Sequence, residues 1–366
     1  MRPVYKILIF GPSPDAVSGV STHLNQLFAS SLAGFFSLGH FQVGSEGRCE
    51  NRLQRIARLI FSPCVLIFVL LRLKPQIVHI NTSMDKKAYW RDLIYFFIAH
   101  LFDLKIVYQK HGGELPQDFF RGNRFLTGLL RWVISTADVV VVLASVELKA
   151  YTDFAPKARI RLIPNAIDTA TLSILPLISK GNGPLHLVYL GRFAENKGIF
   201  TILEAFSVII LTGRSMRLTF AGGGPAETEL KTLAATLGIS EHVHFAGPLF
   251  DSAKDELWKE GHVFIFPTYH REGLPYALLE AMAAGAVPVT TRVAAIPDVM
   301  QDEVHGLFVE PKDAQGLAKA IARLDDDRAL LARMAEAGRA RVLEAYTVDR
   351  LARDFQNLYN SLLEKA

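Results

Sequence analysis

The feature that most limits what this chain can fold into is a rhythm of short β-branched runs set too far apart for hairpins. Lys6 to Gly11, Ile77 to Asn81, Ile106 to Gln109, Val139 to Ala144 and Arg159 to Ile163 are each a strand's length, and helical patterns fill most of the intervals. Two residues can join antiparallel strands, whereas parallel strands need a long crossover, so this half reads as parallel strands linked by helices. The rhythm then restarts. Residues 172–184, with Pro176, Gly181, Gly183 and Pro184, read as a linker. Leu185 to Leu190, Arg217 to Ala221, Val243 to Ala246, Val263 to Pro267, Val287 to Thr290 and Leu307 to Val309 form a second strand series. Two doubly wound α/β domains in tandem follow, and 366 residues give each enough chain to close its own core. The last segment, Thr347 to Leu363, sets Leu351, Phe355, Leu358, Tyr359 and Leu362 close to a 3.6-residue period, which predicts an amphipathic helix packed on the body.

Charge is divided unevenly between the halves. Residues 1–165 hold 20 Lys and Arg against 11 Asp and Glu, a net +9, while the remainder holds 20 against 25, a net −5. Within the basic half, Arg48, Arg52, Arg55, Arg58, Arg72 and Lys74, with Glu50 the only acid among them, bracket the apolar run Leu59 to Leu71. Cations flanking an aliphatic patch suit an anionic membrane surface, whereas nucleic-acid binding would call for cations interleaved with aromatics. The apolar run counted from Ile56 to Leu71 is sixteen residues long and contains Arg58 and Pro63, short of the roughly 20 a spanning helix needs. It is therefore expected to lie on a bilayer or inside a core without crossing. A chain that is 50% apolar and 21% charged is neither disordered nor a polytopic membrane protein. Tyr5 to Gly11 is too short for a signal-peptide apolar region, and Cys49 and Cys64 form no CxxC, which argues against a disulfide framework or a structural zinc. A cytoplasmic protein is expected, with Cys64 as a small buried hydrophobe.

The densest chemistry lies between Phe266 and Met282. A strand ends at Phe266, a loop follows, and Pro275 stands where a helix would open, so Glu272 falls in the loop and Glu280 in the helix. Gly273 and Leu274 are placed to offer unpaired amides to an anion beyond the carboxyl end of a strand. Glu280 sits among Leu278, Leu279, Ala281, Met282, Ala283 and Ala284, where an unpaired carboxylate is expensive. It requires hydroxyl or N–H partners, and a ribose diol would supply two; a solvent-facing glutamate on an Ala-rich helix is the plain alternative. Arg192 and Lys197 bracket a loop before a helix beginning near Ile199, an arrangement suited to a diphosphate, although two loop cations can simply be solvated. Gly222 and Gly224 follow a third strand and permit close backbone approach without forming a GxGxxG fingerprint. In the first half, the loop from Gly11 to His23 carries Gly19 just before a helical pattern and lacks a Walker lysine, and His111 ends a strand beside Gly112 and Gly113.

Together these pieces resemble the retaining glycosyltransferases of family 4, of the bacterial surface-polysaccharide type. The resemblance rests on the Glu-x7-Glu element Glu272 to Glu280, Gly191-Arg192 with Lys197-Gly198, Pro164 to Asp168, Gly222-x-Gly-Pro225, the Gly19-Val20-Ser21 loop and His111-Gly112, and it spans nearly the whole chain. It implies a GT-B fold: two Rossmann-like doubly wound domains facing a central cleft, with a C-terminal helix crossing back to the first. Residues 1–168 would be the acceptor-binding, membrane-facing domain, 169–184 the linker, 185–345 the nucleotide-sugar domain and 346–366 the crossover helix. The resemblance further implies that Arg192 and Lys197 hold the donor diphosphate, Glu280 the ribose, and Glu272 with the amides of Gly273 and Leu274 the donor sugar and its phosphate. His111 and the Gly19 loop would face the sugar and acceptor. Where many relatives carry a second glycine, this chain has Ser18. No metal and no cofactor are implied, the nucleotide diphosphate sugar being a co-substrate. The implied acceptor is a saccharide or polyprenyl-linked saccharide, met at the inner face of the cell membrane, with no nucleic acid involved. The alternatives are a non-catalytic nucleotide-sugar-binding membrane subunit and a nucleotide-sugar epimerase of the same fold.

Overall fold

The structure, a computed structural model, describes residues 5–170, 183–271 and 273–364. Glu272 and residues 171–182 of the expected linker therefore lie outside the described residues. The chain divides into two compact units, one of Met1–Ala166, Glu272–Leu274 and Val348–Ala366, the other of Ile167–Arg271 and Pro275–Thr347.

The first unit is built on a six-stranded sheet of β1 (Lys6–Gly11), β2 (Ser37–Gln42), β3 (Ile77–Met84), β4 (Lys105–Gly113), β5 (Val139–Val142) and β6 (Ile160–Leu162). All neighbours pair in parallel, in the order β2-β1-β3-β4-β5-β6. Alternate residues of β1 serve opposite faces, as a period of two requires. Leu8 and Phe10 join a core with Leu93, Phe96, Leu130 and Val133 of the helices Lys86–Leu101 and Arg124–Thr136. Ile7 and Ile9 join another with Leu24 and Leu27 of the helix Gly19–Ala29. The C-terminal helix Val348–Leu363 completes that second core, burying Leu351, Phe355, Leu358, Tyr359 and Leu362. It is pinned at its start by Arg350, whose Nη2 donates to the carbonyls of Pro164 at 2.9 Å and Asn165 at 3.0 Å. β2 is absent from the expected strands because Gly39 and His40 interrupt its apolar pattern, which an edge strand with one neighbour tolerates.

The apolar run beginning at Ile56 belongs to a longer helix than expected, Arg52–Leu73, of 22 residues. A capping box extends its start: Asn51 Oδ1 accepts from the Gln54 amide at 2.9 Å, and Gln54 Oε1 accepts from the Asn51 amide at 2.9 Å. Among the described residues it alone is long and apolar enough to cross a membrane, and only 11% of its most apolar window is buried. The buried-core option for this run is thereby corrected. Leu66 and Leu70 anchor the helix to the first core, while Ile60, Phe61 and Phe68 are exposed. Cys64, expected inside, is exposed as well.

The second unit repeats the plan with β7 (Leu185–Leu190), β8 (Met216–Ala221), β9 (Val243–Gly247), β10 (Val263–Phe266), β11 (Val287–Thr290) and β12 (Leu307–Phe308). Its parallel order is β12-β11-β10-β7-β8-β9. The order reverses between β10 and β7, and in an open parallel sheet such a switch point leaves a crevice at the carboxyl ends of the strands.

Candidate active site

Three loops picked out from the sequence meet at that edge of the second sheet. The loop after β7 is tied to the loop after β8, with the Phe193 amide donating to the Gly223 carbonyl at 2.9 Å and the Ala226 amide to the Phe193 carbonyl at 3.2 Å. On its other side it is tied to the loop after β10: the Asn196 carbonyl accepts from the amides of Tyr269 at 3.0 Å and His270 at 3.1 Å. Gly222 and Gly224 are where side chains cannot fit. A Cβ on Gly222, whose φ is +136°, would meet the Gly191 carbonyl oxygen at 2.0 Å, and one on Gly224 would meet that of Phe193 at 2.3 Å. The glycines thus serve first to let backbone pack on backbone, which draws the loops together. Arg192 is exposed at the edge. Lys197 is half-buried in a short 3-10 turn, Glu195–Lys197, with its ammonium 6.0 Å from the centre of the Phe266 ring. The helix Ile199–Leu211 starts directly behind it, so two cations and a helix N-terminus share one loop.

Glu280 lies in the helix Tyr276–Ala283 and is buried, which removes the solvent-facing alternative. Its Oε1 accepts from Lys254 Nζ at 2.8 Å and its Oε2 from the Trp258 indole at 3.4 Å. Both partners were missed in the sequence. Their signal was their spacing, four residues apart on the helix Asp251–Glu260, which puts them on one face. Pro275 caps the helix Tyr276–Ala283 one position earlier than a first helical residue.

In the first unit, His111 lies near the end of β4, and its Nε2 is 2.8 Å from Asn81 Oδ1. Since Asn81 Nδ2 donates to the Phe10 carbonyl at 3.0 Å, its Oδ1 must accept, so His111 carries its proton on Nε2 and a lone pair on Nδ1. Burial, aided by neighbouring His79, lowers its pKa far below that of free imidazole and keeps it neutral at pH 7. His79 is itself clamped between Tyr359 Oη at 2.7 Å and Gln109 Oε1 at 2.8 Å. The ring of His23 packs edge-on against that of His111, with centroids 4.9 Å apart. Gly19 opens the helix that carries His23, and Ser18 caps it, its Oγ accepting from the Ser21 amide at 3.2 Å. Gly273 and Leu274 group with this unit: a Cβ on Gly273 would lie 3.4 Å from the Gly112 amide nitrogen, and the Leu274 carbonyl accepts from Asn165 Nδ2 at 2.9 Å. The structure therefore brings Gly273 against the His111-Gly112 strand end. Among the described residues no group of three or more His, Cys, Asp or Glu is arranged to hold a metal.

Residues 39–171 match the family model described as Glycosyltransferase Family 4, and residues 178–341 match Glycosyl transferases group 1. A GDP-mannose-dependent alpha-(1-6)-phosphatidylinositol monomannoside mannosyltransferase of Mycobacterium tuberculosis is 29% identical over 266 residues, 68% of this chain and 67% of that protein. The lipopolysaccharide core biosynthesis glycosyltransferase LpsE of Rhizobium meliloti is 34% identical over 190 residues, 51% of this chain and 54% of its own. A putative colanic acid biosynthesis glycosyltransferase, WcaL of Escherichia coli, is 27% identical over 215 residues, 57% of this chain and 52% of its own. The chain spans about half the length of the curated relatives it matches. Among solved structures, sucrose-phosphate synthase from Thermosynechococcus elongatus superposes with a TM-score of 0.82 at 18% identity, covering 99% of this chain and 100% of that one. Anabaena HepE in complex with UDP and glucose gives 0.74 at 15% identity, covering 98% and 100%. The fold is GT-B, as expected from the sequence. The chain thus carries a glycosyltransferase family 4 segment followed by a glycosyl transferases group 1 segment.

Proposed function

We propose that this chain transfers a sugar from a nucleotide diphosphate sugar to a saccharide or lipid-linked saccharide during assembly of a surface polysaccharide or glycolipid, with retention at the anomeric carbon and without a metal ion. The observation that carries this reading is the loop cluster at the β10/β7 switch point, where Arg192, Lys197 and a helix N-terminus share one loop. Support comes from the polysaccharide and lipid glycosyltransferases among its relatives and from the UDP and glucose held by HepE.

In this proposal Arg192, Lys197 and the amides of the following helix take the negative charge that builds on the diphosphate as the glycosidic bond breaks. Glu280, whose Oε2 has only the distant Trp258 indole among the described residues, accepts from a ribose hydroxyl. Glu272 and the amides of Gly273 and Leu274 hold the sugar and its phosphate. No carboxylate is assigned as a covalent nucleophile. The departing phosphate instead takes the acceptor hydroxyl proton on the same face while an oxocarbenium-like sugar passes between them. Neutral His111 and the Gly19 loop serve the acceptor side. The +9 charge of residues 1–165 and the exposed helix Arg52–Leu73 support peripheral contact with an anionic membrane at its cytoplasmic face.

Thermal unfolding with a panel of UDP-, GDP-, ADP- and TDP-sugars tests the donor. A sugar at 100 times its Kd stabilises by about 2.7 kcal/mol and raises the midpoint. A panel that leaves the midpoint unmoved refutes the reading. Turnover abolished by EDTA would refute metal independence, and an inverted anomeric signal in the product NMR spectrum would refute retention.

A further inference from the structure

A cavity of about 300 Å3 opens in the first unit, lined by Pro12 and by Asn81, Thr82 and Ser83. These residues stand at the carboxyl ends of β1 and β3, where the order of the first sheet reverses, the place at which an open parallel sheet receives a ligand. The wall carries four cations: Arg55 and Arg58 from the helix Arg52–Leu73, and Lys87 and Arg91 from the helix Lys86–Leu101. Two of them are held in place. Arg91 Nε and Nη2 donate to the fully buried carboxylate of Asp92 at 2.6 and 2.8 Å, and its Nη1 lies where a Cβ on Gly44 would stand 2.7 Å away. Arg58 donates from Nε to Glu50 at 2.7 Å and from Nη2 to Ser45 Oγ at 2.8 Å. In both, Nη1 has no acceptor among the described residues. Arg55 and Lys87 are exposed and in no ion pair among those residues. Of the two acids in the wall, Asp85 is engaged in capping, accepting from the amides of Lys87 and Ala88 at 3.0 Å each, and Glu46 is exposed.

Rigid guanidiniums with spare N–H groups, joined by two mobile cations, suit an anion with several oxygens. The surroundings suit something else as well. The helix that supplies Arg55 and Arg58 also exposes Ile56, Ile60, Phe61 and Phe68, and the helix that supplies Lys87 and Arg91 exposes Trp90 and Ile94. A single ligand that answers both features has a multiply charged head and a long hydrocarbon tail. The cavity also reaches the proposed acceptor side, because Asn81 in its lining holds His111 Nε2.

We propose that this cavity binds the diphosphate of a polyprenyl-diphosphate-linked acceptor, with the hydrocarbon lying along the exposed apolar face of the helix Arg52–Leu73. This rests on the reading of the chain as a transferase with a membrane-linked acceptor, and it names the residues that hold that acceptor. The test is flotation of the full chain with phosphatidylcholine vesicles containing polyprenyl diphosphate, or phosphatidylglycerol at equal charge. The expected result is binding about tenfold tighter to the diphosphate vesicles, the scale of one charge-assisted hydrogen bond. That preference should disappear in the double variant Arg55→Ala/Lys87→Ala, which removes only exposed, unpaired side chains, and should weaken in Arg91→Lys. Equal binding to both vesicles overturns the proposal, as does a preference that survives the double variant. Displacement by inorganic pyrophosphate without any lipid preference would identify a site for a soluble anion and overturn it too. Nucleotide-sugar thermal shifts on the same proteins keep the two readings separate: the double variant should retain the wild-type shift, whereas loss of that shift in the wild type counts against the transferase reading alone.

Discussion

Replacing Lys254 by Met leaves the Glu280 carboxylate inside an apolar helix with, among the described residues, only the Trp258 indole, 3.4 Å away, for a partner. Removing one member of a fully buried ion pair costs about 3–5 kcal/mol, whereas an exposed pair is worth about 0–1 kcal/mol. The Glu280 side chain is 11% exposed and that of Lys254 is 29% exposed, which places this pair between those limits. The expected loss for Lys254→Met is therefore about 2 kcal/mol. Glu280→Gln keeps the volume, removes the charge and leaves the ammonium free to turn toward water, with an expected loss of about 1 kcal/mol. In the double variant neither charge is stranded, so the two losses should not add, and a coupling of about 1–2 kcal/mol should remain. Urea unfolding of the wild type, both single variants and the double variant measures it. The same four proteins discriminate structure from function, because Glu280→Gln should weaken nucleotide affinity about tenfold, the scale of one hydrogen bond to a charged group, while Lys254→Met should weaken it less. Lys254→Met as stable as the wild type, or a coupling below about 0.5 kcal/mol, would refute the view that Glu280 depends on its protein partners.

Other expectations follow from the same loops and from one buried lysine. Arg192→Ala and Lys197→Ala should each lower kcat by about two orders of magnitude, the usual scale for a charge-stabilising donor, and wild-type turnover in both would remove them from the mechanism. Gly222→Ala should destabilise by about 3 kcal/mol or more and abolish the nucleotide thermal shift, because its Cβ would meet a carbonyl oxygen at 2.0 Å. Gly238→Ala, at φ +70° with nothing within 4 Å, should cost only about 1–2 kcal/mol and is the control in the same unfolding assay. Burial lowers the Lys110 pKa to about 7. An unfolded lysine titrates near 10.4, so between those values the unfolded chain binds more protons and this residue's contribution to stability rises with pH by up to about 1.4 kcal/mol per unit. Lys110→Met should accordingly raise the melting temperature at pH 7, with the gain shrinking toward pH 10; a gain independent of pH would refute that assignment.

Parallel strands with helical crossovers leave a mark that a sequence can show, since strands buried on both faces are continuously apolar. Val139 to Val142 and Val263 to Phe266 are of this kind, and each stands where its pattern suggested. The edge strand Ser37–Gln42 has no such mark, because one neighbour and partial exposure leave its side chains unconstrained. The long helix was misjudged in length for a different reason: its first turn is set by a hydrogen-bonded cap at Asn51 and Gln54, polar residues that an apolar count passes over. In the site, the need of Glu280 for partners followed from its neighbours in sequence, but Lys254 and Trp258 come from a separate helix and only the fold makes them adjacent. The four-cation cavity was half visible, for Arg55 and Arg58 stood out beside the apolar run, while Lys87 and Arg91 join them only through the ordering of the strands.

The helix Val348–Leu363 has a consequence for how the molecule is made. A ribosome delivers β1 through β6 long before this segment, and all of the second unit is synthesised in between. Until then Ile7, Ile9 and Val107 lack the cover that Phe355 and Tyr359 later provide. The nascent N-terminal half must wait with an oily face uncovered, so a premature stop between residue 170 and the start of this helix would damage the part of the protein already translated.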